Sequence, residues 1–282
     1  MRWKGREQSG NVEDRRGMST GKMVTGGTIG TVVILVIVWL LGGDPSQIVN
    51  NLQSGGAEST AVDSSVILAE EELAQFASVV LKDTEDIWHT LFNESGSSYR
   101  EPTLVLFSGS VESACGYSSS ATGPFYCPGD EKVYIDLSFL EELQQKLGAT
   151  GDFAMAYIIA HEVGHHVQKL LGTTEQLNNL RGRVSETEYN RNLVKLELQA
   201  DFLAGIWAHY AQKTKDILEE GDVEEAINAA AAVGDDRIQL QSQGYVVPDA
   251  FTHGTSEQRK SWFLKGFRTG DLGEGDTFSA LD

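Results

Sequence analysis

The chain has 282 residues, 40% hydrophobic and 22% charged, the proportions of a globular protein rather than of a disordered or polytopic one. Its 41 acidic residues against 22 basic ones give a formal net charge of -19. That balance excludes nucleic acid as a partner, because phosphate binding needs a surplus of Lys and Arg on some face.

Taken from the start, residues 1–22 carry six basic residues (Arg2, Lys4, Arg6, Arg15, Arg16, Lys22) against Glu7, Glu13 and Asp14, and are expected to form a basic cytoplasmic tail. Residues 24–41 contain no charge and end in an unbroken apolar run closed by Trp39, Leu40 and Leu41. As a helix this stretch would span about 27 Å, close to the roughly 30 Å hydrocarbon core. A core helix is not expected of a stretch with no polar face and a basic flank on one side only, and for a cleaved signal peptide the apolar stretch is long and no small-x-small site follows closely. Residues 23–42 are therefore expected to be a single transmembrane anchor. Under the positive-inside rule the N-terminus is cytoplasmic and the rest of the chain extracytoplasmic, in a periplasm or at a cell surface. Residues 43–65 have the Gly/Ser composition of a linker.

From residue 66 onward the pattern is that of one α+β domain. Leu73, Phe76, Val80, Ile87 and Leu91 recur at helical spacing. Two strand-like runs follow, 103–107 and 132–137, bracketing a Gly/Ser-rich loop between Cys115 and Cys127. An even cysteine count behind an export signal reads as a disulfide, the alternative being two unrelated buried thiols. Closing a loop of about 13 residues would contribute roughly 3 kcal/mol.

Residues 152–171 are apolar nearly all round and stop at Gly172, so they are expected to form a buried helix. A second helix opens at Ser185 with Glu188 three residues on, a capping-box spacing. The buried helix carries His161-Glu162-Val163-Gly164-His165. His161 and His165 are four apart, so they project from one face and can reach a single ion, while Glu162 is rotated about 100° away and can face a water beside it. This is the HExxH arrangement of zinc hydrolases. Imidazoles on so apolar a helix need partners, and a metal supplies them. A catalytic zinc takes a third protein ligand. Glu197, with Asp201 one turn on, lies among apolar residues of the second helix, where carboxylates are rare unless paired or metal-bound. Glu197 is assigned as third ligand and Asp201 as the carboxylate that accepts the free ring N–H of His161. His166 and His209 are read as structural.

These residues resemble a known family, the bacterial putative neutral zinc metallopeptidases, membrane-anchored proteins with a gluzincin-like HExxH…ExxxD pattern. The resemblance runs from Met1-Arg-Trp-Lys through the anchor, Cys115-Gly, Gly123-Pro-Phe-Tyr-Cys-Pro128, His161-Glu-Val-Gly-His-His-Val-Gln168, Glu197-Leu-Gln-Ala-Asp201 and His253-Gly-Thr-Ser-Glu-Gln-Arg259. Phe202 departs from it, standing where a small residue is expected. The resemblance implies a zincin-like domain with a small sheet, two ligand-bearing helices and one Zn2+ per chain. It also implies hydrolysis of a peptide or protein substrate with Glu162 as general base. For the donor that stabilises the oxyanion, His253 is preferred over Tyr245 and Arg259, and the strand at 132–137 is the expected edge for substrate backbone. Two alternatives remain: an inactive zinc-stabilised binding module, and a zinc amidase acting on cell-wall peptides.

Overall fold

The computed structural model describes residues 1–17, 64–119, 122–139 and 151–281, with side chains described from residue 70 of the first long helix. The anchor expected at 23–42 lies outside the described residues, as does nearly all of the linker; among the described residues no helix is long and apolar enough to cross a membrane. The chain divides into two compact units, Met1–Arg16 with Glu72–Asp282, and Gly17–Glu71. Everything below concerns the first.

A small sheet organises this unit. Its strands are β1 (Val12–Asp14), β2 (Thr103–Phe107), β5 (Phe125–Cys127) and β6 (Lys132–Asp136), in the order β1-β2-β6-β5. β1, β2 and β6 are parallel neighbours, and β5 runs antiparallel to β6. A separate hairpin, β3 (Ser110–Ser113) and β4 (Gly116–Ser119), follows β2. Side chains alternate across the sheet as the pleat requires. Leu104, Leu106, Val133 and Ile135 join the main core. Val105, Phe107 and Tyr134 point the other way, to a smaller cluster with Val111 and Cys127. The Cys115–Cys127 disulfide is present and joins the end of the hairpin's turn to β5.

Helix α1 (Ser64–Glu94), with Phe76, Leu81 and Trp88, joins the main core alongside α2 (Asp152–Leu170) and α4 (Glu186–Lys215). Between the last two is a short α3 (Thr173–Asn178), and after them come α5 (Asp222–Ala232), α6 (Asp235–Gln243), α7 (Ser256–Thr269) and α8 (Thr277–Ala280). α4 opens on Ser185, whose hydroxyl accepts from the Glu188 N–H as its spacing foretold. α2 has no side-chain cap of its own: Gly151 precedes it at φ 101°, and Glu225 of α5 accepts from the Phe153 N–H at 3.0 Å.

Two glycines set the crossing of α4 with α7. A Cβ on Gly205 would overlap the Phe263 carbonyl, and one on Gly266 would overlap the Phe202 carbonyl. The helices therefore meet backbone to backbone. Phe202, the residue out of keeping with the family pattern, is fully buried, packs edge-on against Trp262, and fills space that Gly275 leaves by lacking a side chain.

The N-terminal residues require a correction. They are not a separate tail, because residues 1–16 are built into the same unit as 72–282. Val12 pairs with Leu104 and Asp14 with Leu106. Trp3 meets the Phe76 ring edge-on at 5.4 Å, Arg6 pairs with the buried Asp83 at 2.6 Å, and Ser9 donates to Glu85 at 2.6 Å. The basic residues that suggested a cytoplasmic tail serve in part as ion-pair partners for carboxylates of the folded unit.

Candidate metal centre

α2 supplies His161, Glu162 and His165, and α4 supplies Glu197 and Asp201. Gly164 brings the helices together: a Cβ there would stand 3.1 Å from the Ala200 carbonyl oxygen, so only glycine leaves the two backbones this close without displacement. The rings of His161 and His165 lie 4.8 Å apart, edge to face. Their Nε2 atoms converge on one carboxylate, 3.2 Å from Glu197 Oε2 and 3.4 Å from Oε1 respectively.

The other ring nitrogens are committed. His161 Nδ1 donates to Asp201 Oδ1 at 2.9 Å. His165 Nδ1 donates to Gln168 Oε1 at 2.9 Å, and the orientation of that amide follows from its NH2, which donates to the Leu196 carbonyl at 2.7 Å. Both Nε2 atoms are thereby turned toward Glu197. Asp201 is fully buried. It accepts from Tyr157 OH at 2.5 Å and takes a bidentate grip from Arg259, Nε to Oδ2 at 2.8 Å and Nη2 to Oδ1 at 2.9 Å.

The electrostatics favour a positive charge between these groups. Burial opposes a charged imidazole at His161, but Asp201 and Glu197 overcome it and hold the pKa at about 10. His165 is raised in the same sense against burial, by Glu197. Burial also opposes ionisation of Glu197, yet His165 and His161 hold its carboxyl well below the usual range. Asp201 is lowered too, burial being outweighed by Arg259 and His161. Ligand atoms of His161, His165 and Glu197 all lie within 4.8 Å of one another. Two imidazoles oriented through their far nitrogens and one ionised carboxylate form a donor set suited to zinc.

A second acidic group, Asp152, Asp222 and Glu225, also satisfies that distance. Its carboxylates are already engaged, with the Met1 amine at 2.5 Å from Asp152 and 3.4 Å from Asp222 and with the Phe153 N–H on Glu225.

The three donors open onto a cleft of about 480 Å3, also lined by Glu162 and His253. His253 Nδ1 lies 3.3 Å from Asp235 Oδ1, while Asp235 Oδ2 accepts the backbone N–H groups of residues 252, 253 and 254. The hydrogen bond that the His253 ring donates to Asp235 raises the His253 pKa above its ordinary 6.5. The other two sequence candidates for oxyanion donor fare differently. Tyr245 is 61% exposed and is absent from the cleft lining, and Arg259 is spent on Asp201. His166 and His209 sit as structural residues. His166 Nε2 donates to the Arg100 carbonyl and its Nδ1 accepts from Tyr126 OH, while His209 Nδ1 donates to the Phe267 carbonyl.

The expected substrate strand is also corrected. β6 lies between β2 and β5 and has no free edge; the edge strand beside the cleft is β5, and residues 122–126 line the cleft wall. Sequence reasoning missed Gln168, Tyr157 and Asp235. Gln168 was within reach, since it follows His165 by three on one helical face; Asp235 is 18 residues from His253 and nothing local marks it.

The sequence profile of the family described as "Putative neutral zinc metallopeptidase" matches residues 1–278. The chain belongs to this family. It is 48% identical to the uncharacterized protein YpfJ of Escherichia coli K12 over 285 aligned residues, covering 99% of both chains. It is also 44% identical to the uncharacterized protein Rv2575 of Mycobacterium tuberculosis H37Rv over 196 residues, 65% of this chain and 64% of that one. No solved structure matches this chain.

Proposed function

We propose that this family member is a zinc-dependent endopeptidase whose centre is His161, His165 and Glu197, with Glu162 as general base. The observation that carries this reading is the convergence of both Nε2 atoms on Glu197 at the floor of a cleft that Glu162 also lines. A zinc ion in this donor set supplies a Lewis acid and lowers the pKa of water to about 7. Glu162 accepts the proton of the attacking water and passes it to the leaving amine. His253, whose pKa is raised by its hydrogen bond to Asp235, donates to the carbonyl oxygen as negative charge develops there. The outer edge of β5, unpaired among the described residues, offers backbone groups to an extended peptide. Attachment to a membrane through residues 23–42 that leaves residues 1–16 on the same side as 72–282, and an extracytoplasmic site of action, belong to the same proposal; the disulfide supports an oxidising compartment.

The test is Glu162→Gln. Zinc content should match the wild type while peptide cleavage falls by 100-fold or more, in line with the roughly 10²–10⁴-fold contribution of general acid–base catalysis. Cleavage at the wild-type rate rejects the assignment.

A further inference from the structure

Beyond the reacting groups, the cleft wall is uncharged and mostly apolar. Pro124 and Phe125 come from the β5 side, Phe139 from the segment after β6, Ile158 from α2, and Val233 and Ile238 from the α5–α6 side. Ile158 precedes Glu162 by one helical turn and so stands on its face. It is half-buried, whereas Tyr157 and Ile159 on either side are fully buried. Phe139 is held close by Gly123, at φ +75°, where a Cβ would come within 3.2 Å of the ring.

The charged side chains that line the cleft are Glu162, Glu197 and Arg259 besides the histidines. Glu197 faces the two Nε2 atoms, and Arg259 is bound to Asp201 and to the Val233 carbonyl. Glu162 and His253 are assigned to the reacting peptide bond, and among the described residues of the lining no further cation or carboxylate is free to meet a charged substrate side chain. A charged side chain entering beside Ile158 and Phe139 would lose its hydration without gaining a partner. A large apolar one would be removed from water at no such cost.

We propose that this wall is a specificity pocket for a bulky apolar side chain, of the Leu or Phe class, next to the scissile bond. Ile158, Phe139 and Ile238 are its determining residues. The inference rests on the peptidase reading and names the substrate class for that site.

The test uses peptides identical except at one position carrying Phe, Leu, Ala, Asp or Lys. Cleavage should favour Phe and Leu over Ala by roughly tenfold or more, the scale of discrimination an apolar pocket provides, and over Asp and Lys by more. Ile238 is 43% exposed, so Ile238→Asp is tolerated by the fold; it should lower kcat/KM for the Phe peptide and raise it for the Lys peptide. Equal cleavage of the whole panel overturns the pocket and leaves the peptidase standing. Absence of cleavage in wild type would instead remove the peptidase reading. Calorimetric binding of the same peptides to metal-free Glu162→Gln tests the pocket without turnover. An order of Phe and Leu above Ala above Asp supports it, and equal or undetectable binding overturns it.

Discussion

Arg259 of α7 and Asp201 of α4 form a fully buried bidentate pair whose carboxylate also receives Tyr157 OH and His161 Nδ1. The pair exists because Gly205 and Gly266 let the two helices touch, bringing the guanidinium beside the His161 ring of the candidate centre. It fixes the carboxylate plane, and the carboxylate in turn fixes the His161 ring.

Removing one member of such a pair leaves a buried charge without its partner. Arg259→Met should cost about 3–5 kcal/mol of stability, read by urea unfolding of the metal-free protein. Arg259→Lys keeps the charge but not the fork and should fall between. Combining Arg259→Met with Asp201→Leu should recover much of the stability, since the orphaned charge goes too. It should not recover zinc affinity, because His161 has lost its orienting acceptor. Equal zinc affinity in the double variant and the wild type would contradict this role.

The pH profile should carry the mark of His253. Its pKa is raised, first by the hydrogen bond to Asp235 and further by the charge of Glu197, with burial and Arg259 acting against. A raised pKa means that the pair's stabilisation is complete below about 6.5 and is lost as pH rises through the higher folded value. A protonated donor is present over the same range. The alkaline limb of kcat/KM should therefore lie above pH 6.5 in the wild type and move to lower pH in Asp235→Asn. An unmoved limb would show that His253 does not govern it.

Residues 1–16 and 72–282 share one sheet, and hydrogen bonds of a ladder cannot form across a bilayer. Both should lie in one compartment, whatever residues 23–42 do, which amends the expectation of a cytoplasmic N-terminus behind an extracytoplasmic domain. Single cysteines at the exposed Gly10 and Gln243, probed in intact cells with a membrane-impermeant maleimide, should be labelled together or protected together. Labelling of one alone would show that the first strand is not paired in the cell.

Much of the centre was legible because helices make short-range spacing into geometry. His161 and His165 four apart, Glu197 and Asp201 four apart, and an apolar background sufficed to nominate three candidate ligands that the fold does bring together, with Asp201 on the His161 ring. The Thr103–Phe107 strand and the Ser185 cap were likewise local. What failed depended on neighbours far away in the chain. The run at 132–137 does hold a strand, Lys132–Asp136, but whether a strand is an edge depends on β2 and β5. Likewise, β1 is three residues long with the alternation of no particular element, and only Leu104 and Leu106 across from it make it a strand. Charge misled at the same place, since Arg6 and Glu13 look like a solvated tail until Asp83 and Lys132 are seen opposite them.

The parallel pairing of β1 with β2 also sets a schedule for synthesis. Val12 leaves the ribosome about ninety residues before its partner Leu104, a delay on the order of ten seconds at ordinary elongation rates. Until the two meet, the outer side of β2 is a bare hydrogen-bonding edge, the kind that recruits foreign strands. A fragment begun at residue 66, the natural choice for anyone cutting away an apolar stretch, would keep that edge open for good and should aggregate more readily than one that also carries residues 1–16.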